Sequence, residues 1–586
     1  MSTRPIVAIV PFGARGTSPR AGAWARQLAR RLVDRFARET AVDVRPVFLV
    51  ALPEASGDAG YLVFGSSPEP DLAAQYAASL GATHALSATY REDQGGRALD
   101  LVLVDATTRA VQAKRSLDIP PEGLQRAEPE VAAWLVAALD VTPSTDLVTP
   151  AAANEPAYGA LLEAMDEEVN ATLLRTSDPA RADGSLHAAL ERYVEAARAD
   201  PVSEAAEERL LVLAAESLER RDITHEIRAL EELISVRPRS WRAHYILGQL
   251  RADEGDANGA IVAFEHAHSL RPLPDADVVR LAELYANAGA PAPALAHLRR
   301  VAAESAAFGA AQELLAIISF QRGDEDRGRD AFARAVAAGT TSWELHASHG
   351  AAVHARGALD EAVGHYRDAL DAGAPSAVRL NLARVLLAKS DGDGATAELD
   401  ALLADERTGE VAGHARRLRF GLREPALERE LERAGQAALA GETKALDGAR
   451  SVFDRAVAIE PDLWEAHFGL GIVARQRGDA AVARQSFRRV LELWPEQPDA
   501  LHELGVALLM GNEGIEALGA LDRAASLRPD DPAYLADAGF AHLRAGDLGR
   551  ARQRLERAAK LHPNDPITTS YLGELERIEA EARKRA

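Results

Sequence analysis

The sequence predicts a small α/β domain followed by an all-α solenoid of paired helices. Three observations carry that expectation. Four prolines, Pro461, Pro495, Pro529 and Pro563, fall at a constant step of 34 residues. Between them the same side chains recur: Leu470-Gly471, Leu504-Gly505 and Ala538-Gly539 at one phase, then Ala483, Ala517 and Ala551, then Phe487, Leu521 and Leu555. A unit of this size cannot bury its apolar face alone and must bury it against its neighbours. Residues 1–141 lack this period and interleave short apolar runs with helical stripes.

In chain order, Ile6 to Val10 reads as a buried strand between Pro5 and Pro11. Gly13 to Ser18 reads as a mobile loop; it has neither the lysine nor the spacing of a phosphate-binding loop. A helix is expected from about Gly22 to Arg38, with the stripe Ala25, Leu28, Ala29, Leu32, Val33 and Phe36. Its other face carries Arg26, Arg30, Arg31, Arg35 and Arg38 and reads as solvated. Val44 to Leu52 reads as a strand, and Asp71 to Leu80 as a helix closed by Gly81. Three strand-like runs follow, His84 to Arg91, Ala98 to Asp105 and Arg109 to Ile119, with Gln94-Gly95-Gly96 as the first turn. A helix over about Pro121 to Leu139 ends the domain. Helices alternating with strands, then a meander, describe an α/β sandwich.

Three segments of this domain resemble the TolB amino-terminal-like domain family. They are Val7 to Phe12, Leu80-Gly81-Ala82-Thr83 with the strand after it, and Leu101 to Thr108. The glycine motif usual at the start of that family's first helix is replaced by Ala21-Gly22-Ala23-Trp24. The resemblance implies a domain that precedes a repeat array, as the order here has it. The 34-residue units resemble tetratricopeptide repeats (TPRs), which implies antiparallel helix pairs with small residues at the crossing. Residues 142–154 read as a linker, 155–408 as a first block, 409–424 as an irregular joint, 425–565 as a second block and 566–586 as a capping helix. Ten to eleven helix pairs are expected.

Composition narrows the function. The net charge is −22, and residues 1–141 hold 15 basic and 16 acidic side chains, so the repeats carry nearly all the acidity. An acidic solenoid repels phosphate backbones, so nucleic acid is not an expected partner. Arginine outnumbers lysine 62 to 5, which together with the alanine content reads as a GC-rich, bacterial genome. The absence of cysteine excludes disulfides and thiolate sites. No run approaches the about 18 apolar residues of a membrane span, so a cytoplasmic protein without membrane insertion is expected. No nucleophile–base constellation is apparent, so neither an enzyme nor a cofactor is expected. His346, His349, His354 and His365 lie close in sequence, and the first two share a helical face. No carboxylate is evident to complete a metal set, and His244, His346 and His467 fall at one repeat position, so packing roles are expected. Asp391-Gly392-Asp393-Gly394 lacks the calcium-loop spacing and reads as a tight helix–helix turn.

The repeat resemblance implies which side chains of each first helix face the concave groove. In the last three repeats they are Phe468 and Ile472, then His502, Val506, Leu509 and Met510, then Phe540 and Leu543. Upstream the same phases give Glu283, Glu313 and Glu344. The lysine and asparagine set with which chaperone-binding repeats hold a terminal carboxylate is not reproduced. An apolar groove suits a partner's peptide or amphipathic helix; if neighbouring helices cover these side chains, they are core instead. The expected function is a non-catalytic interaction scaffold. The alternative is a regulatory protein whose α/β domain senses a small ligand and whose repeats relay it.

Overall fold

The computed structural model describes residues 4–16, 18, 20–47, 50, 51, 60, 61, 68–93, 96–216, 223–441, 444–511 and 513–585. Thr17, Phe48, Leu49, Leu52, Gln94 and Gly95, which fall in expected loop, strand and turn segments, lie outside the described residues. The chain divides into two compact units, residues 1–301 and 302–586.

The first unit opens with β1 (Ile6–Ile9), β2 (Gly13–Gly16), α1 (Ala21–Phe36), β3 (Asp43–Pro46), β4 (Val50–Ala51), β5 (Gly60–Tyr61) and α2 (Pro70–Ser79). The strands β6 (His84–Asp93), β7 (Gly96–Asp105) and β8 (Val111–Ile119) follow, then α3 (Ala127–Ala138). The main sheet has the order β3-β1-β6-β7-β8, with β2 also paired to β6. Strands β1 and β2 run parallel along the same edge of β6, opposite His84–Leu86 and Thr89–Glu92. They are one strand interrupted near Pro11, which has no N–H to donate. Gly13–Gly16 is therefore a paired strand and not the mobile loop expected. The edge of β6 beyond Leu86 offers backbone groups that this segment satisfies.

Alternation along the strands builds a core on each face. Val7, Ile9, Leu86, Tyr90 and Leu101 pack with α1 and α3. Ala8, Val10, Ala85 and Val104 pack with Ala73, Ala74 and Ala77 of α2.

The helix α4 (Glu155–Leu174) begins the array and completes the α1 layer. Arg26 donates to both oxygens of Asp166 at 2.8 and 2.6 Å, and Gln27 adds a third bond at 3.0 Å. Arg35 donates to the buried Glu128 at 2.7 Å, and the Tyr158 hydroxyl donates to the same carboxylate at 2.5 Å. Arg97 makes a two-pronged bond to Glu155 at 2.6 and 2.9 Å. So Arg26, Arg31 and Arg35 do not form a solvated face: they are paired inside the unit with Asp166 and Glu128.

The stretch 142–154 carries no helix or strand but is not a loose linker. The Glu39 carboxylate, 4% exposed, accepts bonds from the amides and hydroxyls of Ser144 and Thr145 and from the Ala41 amide. Burial alone would raise the Glu39 pKa; these hydrogen bonds outweigh it and hold it at about 2. At the other end, Asp200 accepts from the Ala153 amide at 2.6 Å. Leu147 and Ala152 are buried in the same core that runs from Val7 to Ala263. The compact unit runs on to Val301, and α4 supplies apolar cover to the sheet layer.

The rest of the first unit is α5 (Pro179–Ala199), α6 (Ala205–Glu216), α7 (Thr224–Val236), α8 (Trp241–Glu254), α9 (Ala257–Leu270), α10 (Asp275–Asn287) and α11 (Pro291–Leu298). The second unit contains α12 (Phe308–Gln321), α13 (Glu325–Ala337), α14 (Trp343–Ala355), α15 (Leu359–Asp371), α16 (Val378–Ala388), α17 (Gly392–Asp405) and α18 (Glu410–Arg423). It continues with α19 (Pro425–Ala440), α20 (Leu446–Ile459), α21 (Trp464–Gln476), α22 (Ala480–Leu493), α23 (Pro498–Met510), α24 (Gly514–Leu527), α25 (Pro532–Ala545), α26 (Leu548–Leu561) and α27 (Pro566–Arg585). From α4 on, the described helices form eleven successive pairs, with α18 unpaired and α27 last. Asp391 caps α17 by accepting from the Gly394 amide, as a helix–helix turn requires.

The repeat glycines show why the pattern recurs. A Cβ on Gly471 would stand 2.6 Å from the Phe487 ring, one on Gly505 2.4 Å from Leu521, and one on Gly539 2.7 Å from Leu555. The small residue of the first helix is the seat of the large residue of the second. The expected irregular joint, 409–424, is a 14-residue helix, α18. The Gly409 amide donates to Leu493 O at 2.7 Å, and Arg419 bridges Asp400 and Glu460. The 34-residue phase slips here because one helix is inserted between pairs.

Candidate functional site

In the second unit α18, α19, α20, α21 and the start of α23 line an open cavity of about 370 Å³. Its apolar wall is Leu431 and Leu439 of α19, Phe453 of α20, and Trp464, Phe468 and Ile472 of α21. Leu439 is 63% exposed, on the last turn of a helix that Gly441 ends at φ 71°. Trp464 meets Phe468 edge-to-face at 6.2 Å and Trp494 at 5.4 Å, which fixes the indole plane.

The polar lining is mostly acidic: Glu432, Glu465 and Asp499, with Arg417 as the one cation among the described lining residues. Arg417 is held by Glu428 at 2.6 Å. Burial pushes the Glu465 carboxyl up to about 7, against the pull of its own backbone N–H and of Arg417. Its Oε2 and the Trp464 indole nitrogen are buried without a hydrogen-bond partner among the described residues. The lining therefore combines an apolar wall with a Glu465 carboxyl oxygen that is buried without a partner among the described residues.

Of the expected groove residues, Phe468 and Ile472 line this cavity, with Ile472 1% exposed at its floor. Val506 and Leu509 are half-buried, and Leu509 packs against the cores on both sides of α23. Met510 is 47% exposed. His502 is stacked on Tyr534 at 4.4 Å and bonded to Asp537 at 2.8 Å. Phe540 is stacked on Tyr571 of α27 at 4.3 Å, and Leu543 is core. The expected open strip from Phe468 to Phe540 is thus closed at its far end, because α25 lays Tyr534 over His502 and α27 lays Tyr571 over Phe540. Trp464, Leu439 and Glu465 were missed by sequence reasoning. An apolar residue beside a helix-ending glycine was the available signal for Leu439.

A second cluster lies on α14 and α15. His346, His365 and Asp368 place one ligand atom each within 4.8 Å of one another, as do His349, Glu361 and His365. The expectation that no carboxylate joins these histidines is corrected: both carboxylates come from α15, one helix on. Burial, with neighbouring His365, Arg329, His346 and Arg356, holds His349 down at about 4; burial also lowers His365. The His349 ring is therefore neutral at neutral pH.

With this geometry the architecture has a family counterpart. Residues 227–271, 436–498 and 468–532 match the tetratricopeptide repeat family, so these segments carry tetratricopeptide repeats. Among solved structures it is similar to YrrB, described as a TPR protein with an unusual peptide-binding site, at 17% identity over 35% of this chain and 96% of that one, TM-score 0.21. It is similar also to a tetratricopeptide repeat protein from Parabacteroides merdae, at 14% identity over 52% of this chain and 98% of that one, TM-score 0.21. A MamA fragment from Desulfovibrio magneticus RS-1 shares 17% identity over 33% of this chain and 98% of its own, TM-score 0.20. No curated protein matches the sequence. No described helix is long and apolar enough to cross a membrane.

Proposed function

We propose that the protein is a non-catalytic interaction scaffold whose second unit binds a segment of a partner protein in the Leu439–Trp464–Phe468 cavity. The observation that carries this reading is the exposed Leu439 lining one cavity with Trp464 and Phe468, beside Glu432, Glu465 and Asp499. Its volume falls in the range of ordinary ligand pockets, about 300–1,000 Å³. An aromatic or branched apolar side chain fills such a space, and a neighbouring lysine or arginine of the partner meets Glu432, Glu465 and Asp499. The bound segment is an extended peptide or one face of a helix.

The regulatory alternative needs a ligand cavity in the α/β layer. Among the described residues of that layer, one cavity, between Ile9, Val33 and Val47, holds about 40 Å³, room for one or two waters. The segments Val7–Phe12 and Leu101–Thr108, lying on β1 and β7, support reading this layer as a TolB amino-terminal-like domain that serves as a second docking face.

Selection from a random peptide library displayed against the full chain tests the reading. Enriched peptides should pair an apolar anchor with a basic residue and lose binding at least about tenfold to Leu439→Asp. Leu439 is largely exposed, so this variant keeps its fold. Peptides that bind wild type and Leu439→Asp equally place the binding surface elsewhere.

A further inference from the structure

The histidine cluster of α14 and α15 behaves differently from its counterparts in other repeats. His244 and His467 occupy the same repeat position as His346. There each Nε2 donates to the proline carbonyl six residues upstream, Pro238 at 3.1 Å and Pro461 at 2.8 Å. That bond ties a repeat's first helix to the turn before it. Ahead of His346 the corresponding residue is Thr340, and His346 makes no such bond among the described residues. Its Nδ1 is buried without a hydrogen-bond partner, as are Nδ1 of His365 and both nitrogens of His349, whose residue is 5% exposed. Buried imidazole nitrogens left unpaired are costly as structure alone, and of these residues His346 and His365 each bring a ligand atom within 4.8 Å of Asp368.

We propose that His346, His365 and Asp368 bind a divalent transition metal of the zinc class, with a solvent molecule at the remaining position. His346 Nδ1 lies 3.8 Å from Asp368 Oδ2, and all three ligand atoms lie within 4.8 Å of one another. Zinc bonds of about 2.0–2.2 Å in a tetrahedron set ligand atoms about 3.3 Å apart, so small side-chain rotations close the site. Two ligands one turn apart on α15 and one on α14 make a chelate across the helix pair. Phe332 packs against all three imidazoles, at 5.5, 4.9 and 5.8 Å from His346, His349 and His365, and limits their rotation.

Asp368 is favoured over Glu361 as the carboxylate. Glu361 already accepts from Arg329 at 3.3 Å and Arg356 at 3.2 Å. Both arginines also pair with Glu325, at 2.8 and 2.7 Å, which offsets their charge near the site. Asp368 is 57% exposed, and among the described residues no arginine or lysine lies within salt-bridge distance of it. It is therefore open both to the metal and to the solvent from which the metal enters. Imidazole with one carboxylate suits zinc, cobalt and nickel better than magnesium or calcium, which take oxygen sets.

The test uses the full chain prepared without a histidine tag, stripped by chelator and titrated with Zn²⁺ by calorimetry and with Co²⁺ by visible absorption. One metal per chain and a tetrahedral Co²⁺ spectrum are expected. His365→Gln and Asp368→Asn should each weaken binding at least about tenfold, while His467→Gln, at the equivalent bonded position, leaves it unchanged. Asp368→Asn changes an exposed side chain, so its loss of binding is read on a folded protein; circular dichroism of the metal-free His365→Gln variant checks the other. No saturable uptake by wild type, or wild-type binding in both ligand variants, overturns the proposal. Loss with Glu361→Gln but not with Asp368→Asn overturns this ligand set.

Discussion

The seating of a large side chain on a repeat glycine permits a controlled measurement. Gly505 of α23 and Gly519 of α24 are both interior helical glycines. A Cβ on Gly505 would meet Leu521 Cγ at 2.4 Å and Cδ2 at 2.7 Å; one on Gly519 would meet nothing within 4 Å. Carbon pairs settle near 3.5–4.0 Å, so Gly505→Ala must push α23 and the Leu521 stem apart by about 1 Å. Overpacking on this scale costs about 1–3 kcal/mol. Replacing glycine by alanine in a helix gains about 0.5–1 kcal/mol at either position. Gly519→Ala should therefore stabilise its surroundings by about 0.5–1 kcal/mol. Gly505→Ala should differ from it by the full overpacking cost, about 1–3 kcal/mol. Native-state hydrogen exchange of peptides from α23 to α25 reads the local opening free energy, which suits a repeat array better than one global midpoint. Equal shifts of the same sign in the two variants would refute the seating argument.

Two further predictions follow from buried groups. Because α4 completes the α1 layer, a fragment ending at Val141 should scatter light and lack a near-ultraviolet signal, whereas one ending at Val301 keeps it; a well-folded short fragment would contradict the packing described. Glu465 has a folded pKa near 7, above its ordinary 4.5, so the folded state holds its proton more tightly. Its contribution to stability is full below pH 4.5 and is lost as pH rises through 7. Glu465→Gln should remove that part of the slope, and urea midpoints between pH 5 and 8 that match wild type would count against it.

Much of the fold was legible because it rests on local periods. The apolar run Ile6–Val10 marked β1 as a buried strand, and the 34-residue step located the crossings at Ala483, Ala517 and Ala551, all fully buried. What was not legible depends on pairs of elements distant in sequence. The arginine face of α1 looks solvated on a helical wheel; only Asp166 and Glu128, far along the chain, turn it inward. The stretch 142–154 has a linker's composition, yet Glu39 and Asp200 pin it, and no local signal in it names either carboxylate. Gly13–Gly16 has no strand propensity of its own and is a strand because β6 has an unpaired edge beside it.

The candidate site obeys the same division. A repeat pattern says which way a side chain points from its own helix, and for Phe468 that direction does lead into the cavity. What the side chain then meets depends on the next helix. Tyr534 lies over His502 and Tyr571 over Phe540, so two groove-facing positions are spent on stacking one repeat upon the next. At Trp464 and Phe468 the situation differs, since the regular succession is broken just upstream by α18. That helix sets Gly413 against Trp464 and Trp494, where a Cβ would stand 3.1 Å from the Trp464 ring. The opposite side of Trp464 is left to α19, whose Leu439 reaches the last turn without a ring to cover it. An interruption of the period, illegible as structure in the sequence, is thus what opens the cavity, and the end of the array with the most regular repeats is where the groove is most closed.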